Sequence, residues 1–184
     1  MTKKQTLTDK VGIGLRTPHI AQILKEKPKI GWLEVHSENY YAAGGPAIKT
    51  LEDIRKNYPI SLHCVGNSLG SAQTIDKIHL TYLKRLIDII DPFLVSDHIS
   101  WGAVDGENLN DLLPLPYTKK ALKAISNNVS IAQDFLKREI LVENPSTYLS
   151  FKDPEMDEAD FINQLTKETV KAFLVDSKKS KFKI

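Results

Sequence analysis

Short apolar runs rich in β-branched residues recur along the chain and alternate with segments of helical periodicity. The runs are Val11–Leu15, Ile30–His36, Ile60–His63, Phe93–His98, Ile140–Glu143 and Phe173–Asp176. Apolar periodicity predicts helices over Ile48–Asn57, Ile75–Ile90 and Lys119–Leu136. Buried strands separated by helices are typical of a parallel sheet with helical crossovers. The sequence therefore predicts an α/β fold.

Chain length limits the number of strand–helix units. The 184 residues accommodate six units at roughly 30 residues each, whereas a complete eight-unit barrel needs about 250 residues. Two architectures remain open at this point, a doubly wound sheet and a barrel with about six of its eight units. No linker interrupts the pattern, so we expect one domain over residues 11–176, with a lead-in at 1–10 and a basic tail at 177–184.

Composition excludes several classes of protein. The 25 Lys and Arg residues nearly balance 23 Asp and Glu residues, without the clustered basic excess of a nucleic-acid binder. No run approaches the ~20 apolar residues of a membrane span, and the first residues do not resemble a secretory signal. The single cysteine, Cys64, excludes an internal disulfide and a multi-cysteine metal cluster. We expect a cytoplasmic protein that binds neither nucleic acid nor membrane.

Five of the six runs end in residues that can bind a metal or transfer a proton. The carboxyl ends of parallel strands face the active site in α/β folds. Charged groups buried there are costly unless they are paired or coordinate a cation. A set of imidazoles and carboxylates without thiolate suits iron, manganese or zinc. The residues in question are Glu34, His36, His63, Asp97, His98, Glu143, Asn144 and Asp176.

Neighbouring residues on a strand point to opposite faces. We therefore expect one of Asp97 and His98 to contact a metal and the other to support it, and the same argument separates Glu143 from Asn144. Each residue by itself also has an ordinary structural explanation. His63 fits a hydrogen-bonded core histidine, and Asp97 fits the cap of a turn. The recurrence of such residues at successive strand ends favours the metal site.

A series of motifs in fixed order gives the chain a family resemblance. The motifs are Gly12–Arg16 with Pro18 and His19, Leu33–Asn39, Gly44–Pro46, Ser61–His63, Val65–Gly66, Ser68–Ser71, Ser96–His98, Leu109–Tyr117 and Leu141–Ser146. With them the chain resembles the multinuclear non-haem iron-dependent oxidative enzymes. This is a former bacterial family of unknown function that includes the methanobactin-biosynthesis oxidase. The resemblance extends from about Val11 to Asp176.

The resemblance implies a TIM-type barrel of the xylose-isomerase-like kind, incomplete in this chain, that holds two or three irons. Such enzymes use dioxygen to remodel residues, often cysteines, of ribosomally made precursor peptides, which a partner protein presents. The implied metal ligands are His63, His98, Glu143 and Asp176. The implied pocket or supporting residues are Glu34, His36, Asp97 and Asn144.

The resemblance also concerns the end of the chain. The family continues beyond the position of Asp176 with two further strands that carry more ligands, whereas this chain has a lysine-rich segment at 177–184. We therefore expect a truncated barrel that binds one iron or none and lacks full oxidase activity. Two other functions fit the same residues. One is a two-metal hydrolase or isomerase, because a metal-activated water needs the same ligands; the other is a non-catalytic remnant domain.

Overall fold

The computed structural model describes residues 11–42, 44–146 and 148–179, with the backbone alone for 171–179. The lead-in at 1–10 and residues 180–184 of the predicted tail lie outside the described residues. None of the helices in the described part of the chain has the length and apolarity needed to cross a bilayer.

The main sheet consists of five strands, which in order across the sheet are β1 (Gly12–Gly14), β2 (Trp32–His36), β3 (Ile60–His63), β4 (Leu94–His98) and β7 (Leu141–Glu143). Its first four strands pair in parallel, with His36 opposite His63 and His63 opposite Ser96. Strand β3 is buried throughout, with Ile60 and Leu62 on one face and Ser61 and His63 on the other.

The three helices predicted from periodicity are confirmed with boundaries shifted by at most two residues. They are α2 (Pro46–Arg55), α3 (Lys77–Ile90) and α4 (Lys119–Leu136). The fold also contains α1 (Ile20–Glu26) and α5 (Glu158–Lys179). At the start of helix α4, the Thr118 hydroxyl accepts a hydrogen bond from the Ala121 amide at 3.2 Å. This bond gives an acceptor to a backbone N–H group of the first turn that has none within the helix.

The sixth predicted strand, Phe173–Asp176, is wrong, because these residues belong to helix α5. Helix α5 contains neither glycine nor proline, and its buried residues Phe161, Leu165 and Thr169 recur at intervals of four. The run Phe173–Asp176 continues that helix. A short apolar run cannot be assigned to strand or helix by periodicity alone. Helix α5 also continues through Lys179, into the segment that the sequence indicated as a separate tail.

An antiparallel hairpin that the sequence patterns did not predict is formed by β5 (Trp101–Val104) and β6 (Glu107–Leu113). Its turn consists of Asp105 and Gly106, which have φ angles of 51° and 83°. An Asp-Gly pair with two positive φ angles is the preferred two-residue turn between antiparallel strands. The Asp105-Gly106 dipeptide was therefore the sequence feature from which the hairpin could have been predicted.

Contacts between residues divide the chain into two compact units. The first contains Cys64 and the described residues before it, together with Tyr82–Ser96. Its core includes the fully buried Leu33, Leu51 and Ile60. The second contains Val65–Thr81 and the described residues from Asp97 onward. Its core forms where α4 packs on α5, with Ile125, Phe161 and Leu165 fully buried.

Within the second unit, Asn128 of α4 holds the loop that follows β3. Its amide nitrogen Nδ2 lies within 3.0–3.1 Å of the carbonyl oxygens of Leu69, Ser71 and Gln73. Its Oδ1 accepts a hydrogen bond from the amide of Ile75 at 3.2 Å. The loop therefore depends on a side chain from a helix for its buried polar groups.

We expect Asn128→Ala to lower the free energy of unfolding by about 2 to 4 kcal/mol, because several buried backbone groups lose their partner at once. Urea denaturation measures the change. Asn127→Ala is the matched control, since Asn127 is exposed on the same helix. Equal stability of the two variants would contradict the role assigned to Asn128.

A second polar contact joins the start of α5 to the segment before α4. The carboxylate Oε1 of Glu158 accepts hydrogen bonds from Tyr117 Oη at 3.0 Å and from Asn144 Nδ2 at 3.2 Å. Burial, followed by the neighbouring Glu158 carboxylate, raises the pKa of Tyr117 to about 12. The folded chain therefore holds the phenol proton more tightly than the unfolded chain does.

This difference in pKa predicts an alkaline loss of stability. The contribution of Tyr117 is complete below about pH 10 and disappears as the pH rises toward 12, because the unfolded chain ionises first. In that range Tyr117→Phe should lose less stability than the parent chain, as measured by thermal unfolding against pH. Tyr82→Phe, at an exposed position, is the control and should follow the parent. A parallel decline in Tyr117→Phe would contradict the prediction.

Candidate metal centre

Two histidines and one glutamate come together at the carboxyl ends of neighbouring strands. His63 ends β3, His98 ends β4 and Glu143 ends β7. Each offers one ligand atom, and the three atoms lie within 4.8 Å of one another. Metal–ligand bonds of about 2.0–2.2 Å place ligand atoms at most roughly 4.4 Å apart. A small side-chain adjustment therefore lets these residues share one ion.

The three residues differ in exposure. His63 and His98 are buried, at 9% and 8% of full exposure, whereas Glu143 is exposed. A buried imidazole requires a polar partner or a metal.

Polar and aromatic neighbours fix the orientation of the His63 ring. Its Nδ1 lies 2.7 Å from the hydroxyl oxygen of Ser96, its register partner on β4. The ring of His36 packs edge-on at a centroid distance of 5.7 Å. The Ser37 hydroxyl lies 2.9 Å from the carbonyl oxygen of His63. Contact of one ring nitrogen with an outer oxygen is the usual way in which a protein orients a metal-binding imidazole.

The carboxylate of Asp97 supports His98. Asp97 is almost fully buried, at 2% of full exposure, and its Oδ1 accepts a hydrogen bond from the backbone amide of His98 at 2.6 Å. Its Oδ2 accepts a second hydrogen bond, from Asn67 Nδ2, also at 2.6 Å. Of this adjacent pair, His98 is the member that joins the three-residue cluster.

The remaining predicted residues occupy different surroundings. Glu34 accepts a hydrogen bond from the hydroxyl of Ser61 at 3.0 Å, and His36 contacts the ring of His63. Asn144 is exposed and donates to Glu158. Asp176 lies in α5 rather than at a strand end, and its side chain is outside the described atoms.

Two residues of this region, Ser96 and Asn67, were missed by the sequence analysis. Ser96 has a visible signal, because it lies two residues before His98 on the same strand and therefore shares its face. Asn67 has only its position in the loop after β3. Its contact with Asp97 depends on the path of that loop, which local sequence does not specify.

An apolar pocket of about 430 Å³ lies within the second unit. Hairpin residues Trp101 and Val104 line it, together with Leu115 and Ala121. The nitrogen Nε1 of Trp101 donates to the carbonyl oxygen of Pro114 at 3.0 Å. None of the residues His63, His98 and Glu143 lines this pocket.

Solved structures support the predicted barrel type. The chain superposes on D-psicose 3-epimerase, crystallised in the presence of D-fructose, with a TM-score of 0.53. The match covers 85% of this chain and 60% of that chain, at 13% sequence identity. A likeness at this identity concerns the fold. It confirms an α/β fold of the xylose-isomerase-like TIM-barrel type and removes the alternative of an open doubly wound sheet.

Relatives by sequence are bacterial proteins named UPF0276. The chain is 51% identical to that of Psychromonas ingrahamii over 166 residues, and 46% identical to that of Vibrio parahaemolyticus over the same length. Each match covers 90% of this chain and 58% of the relative. The relative from Chromobacterium violaceum is 44% identical over 171 residues. The chain thus spans about three fifths of the length of these relatives.

The family-level comparison covers almost the whole chain. The sequence model of the family described as "RiPP precursor modification enzyme MbnB/TglH/ChrH" matches residues 10–178. The matched region contains His63, His98 and Glu143, the residues that can hold a metal ion. The resemblance predicted from the motifs is confirmed: the chain belongs to the MbnB/TglH/ChrH family of RiPP precursor modification enzymes.

Proposed function

We propose that this chain carries the metal-binding part of an iron- and dioxygen-dependent enzyme that oxidises residues, chiefly cysteines, of ribosomally made precursor peptides. The convergence of His63, His98 and Glu143 is the observation that carries the proposal. Family membership supports a peptide substrate. We further propose that the protein acts in the cytoplasm and that a partner protein presents the peptide.

The donor set fits non-haem iron. Two imidazoles and one carboxylate, with other coordination positions open, are typical of iron(II) oxygenases. The same three donors also occur in catalytic zinc sites, which is the basis of a hydrolase as the competing function. Dependence on dioxygen separates the two functions, because hydrolysis consumes water alone.

In this proposal His63, His98 and Glu143 hold an iron ion. Iron bound there supplies electron transfer to dioxygen, which the amino-acid side chains of the site do not supply themselves. Ser96 and His36 fix the His63 ring, and Asp97 fixes the backbone of His98. Asp176 remains a proposed further ligand, and the two or three irons implied by the family resemblance require ligands beyond the three that converge here.

We expect Glu143→Gln to weaken binding of Fe²⁺, or of Co²⁺ as its air-stable substitute. Removing an outer partner of a metal ligand typically lowers the affinity about 10- to 100-fold, and the loss of a ligand should lower it at least as much. A neutral amide is a poorer ligand than a carboxylate and lacks its charge. Calorimetric titration of the metal-free protein measures the affinity. Glu139→Gln is the matched control, because Glu139 is also exposed and lies just before β7.

Two results would contradict the proposed metal site. One is a parent chain that binds neither ion. The other is equal weakening in Glu143→Gln and Glu139→Gln, which would indicate a general effect of charge.

The reaction itself is tested by co-expressing the chain with a cysteine-bearing precursor peptide. We expect the mass of the peptide to change only when iron and dioxygen are both present, since dioxygen accepts the electrons that the cysteine loses. The change should vanish with Glu143→Gln and persist with Glu139→Gln. A change in mass that also occurs without dioxygen favours the hydrolase.

A further inference from the structure

We propose that Asn67 is a positioning residue that fixes His98 through the carboxylate of Asp97. This inference rests on the proposed function in so far as His98 is a metal ligand. It adds a residue from the loop after β3 that contacts no metal-ligating atom and acts through two successive hydrogen bonds.

The contacts form a continuous chain within the second unit. Asn67 Nδ2 donates to Asp97 Oδ2 at 2.6 Å, and the backbone amide of His98 donates to Asp97 Oδ1 at 2.6 Å. Each oxygen of the carboxylate therefore has a donor. Hydrogen bonds to an ionised acceptor are shorter and stronger than those between neutral groups, so the carboxylate is held at both ends.

Burial makes these two donors important. Asp97 is 2% exposed, Asn67 is 6% exposed and His98 is 8% exposed. A buried carboxylate that loses a hydrogen-bond donor must reorient toward another donor. Such a reorientation disturbs the bond to the His98 amide, which fixes the backbone from which the imidazole extends.

Only one end of the Asn67 side-chain amide has a hydrogen-bond partner among the described residues. Asn67 Oδ1 is buried, and no donor among the described residues reaches it. A buried acceptor without a partner costs about 1–3 kcal/mol. An aliphatic side chain at position 67 would avoid that cost but would remove the donor to Asp97 Oδ2. The amide is therefore explained by what Nδ2 does, which is to hold Asp97.

The loop that carries Asn67 is held rigidly against the segment that follows β4. The Ser68 hydroxyl accepts hydrogen bonds from the amides of Gly102 and Ala103, at 2.9 and 3.1 Å. The Gly70 amide donates to the carbonyl oxygen of Ser100 at 2.8 Å. A Cβ at position 70 would lie 2.8 Å from that same oxygen, so the approach requires glycine. These contacts fix Asn67 relative to Asp97, as support of a metal ligand requires.

The experiment compares the parent chain with Asn67→Leu, which keeps a similar volume and removes the donor. The first measurement needs no metal and is the chemical shift of the His98 amide proton. We expect it far downfield in the parent chain, because of the short bond to a carboxylate, and upfield in the variant. The second is Co²⁺ affinity, which we expect to fall 10- to 100-fold, the usual effect of losing an outer partner of a metal ligand.

A reversed pair separates positioning from a general structural effect. Asn67→Asp alone places two carboxylates in contact and should lose the most Co²⁺ affinity. The double variant Asn67→Asp with Asp97→Asn restores the hydrogen bond with donor and acceptor exchanged, and should recover most of that affinity. If Asn67→Leu fails to fold, the comparison of Asn67→Asp with the double variant still decides the question.

The outcomes distinguish this inference from the proposed function. An unchanged His98 amide shift and unchanged Co²⁺ affinity in Asn67→Leu would overturn the positioning role, as would a double variant no better than Asn67→Asp. A parent chain that binds no Co²⁺ would overturn the proposed metal site alone. In that case the His98 amide shift still reports whether Asn67 fixes His98.

Discussion

Parallel pairing of β2, β3 and β4 is the constraint on which the candidate site depends. It places His36, His63 and Ser96 side by side in one row across the sheet. The row explains why the His63 ring has an imidazole on one side and a hydroxyl on the other. A shift of one residue in the pairing register of a strand would turn its polar side chains to the opposite face of the sheet. The buried apolar residues of the opposite face hold the register that positions the polar ones; they are Leu33, Val35, Ile60, Leu62 and Val95.

A second layer of support comes from side chains that satisfy buried polar groups. Asn128 holds the loop after β3 from helix α4, and Ser68 ties the same loop to the start of the hairpin. Asn67 and Asp97 then extend the support to the backbone of His98. Such networks are costly when incomplete and rigid when satisfied. Rigidity is what a site needs if it is to keep two buried imidazoles in place with or without an ion.

Much of the fold was predictable because its core strands and helices have strong, local patterns. Helix α4 was predicted with the bounds that it has, and β3 likewise. The errors arose where pattern was ambiguous. Phe173–Asp176 is apolar enough for a strand, yet it continues the uninterrupted helix α5. The hairpin was missed although Asp105-Gly106 marks its turn, because β5 has only four residues and most of β6 is exposed and polar.

The sequence by itself determined the alternation of strands and helices, the residue types at the strand ends and the family motifs, because these depend on local periodicity and composition. Only the tertiary structure decided which of those residues meet. Local sequence does not specify that His63, His98 and Glu143 converge while Asn144 turns to Glu158. It also does not specify that Asn67 reaches Asp97. Those contacts depend on strand order and loop path, which result from packing among residues far apart in the chain.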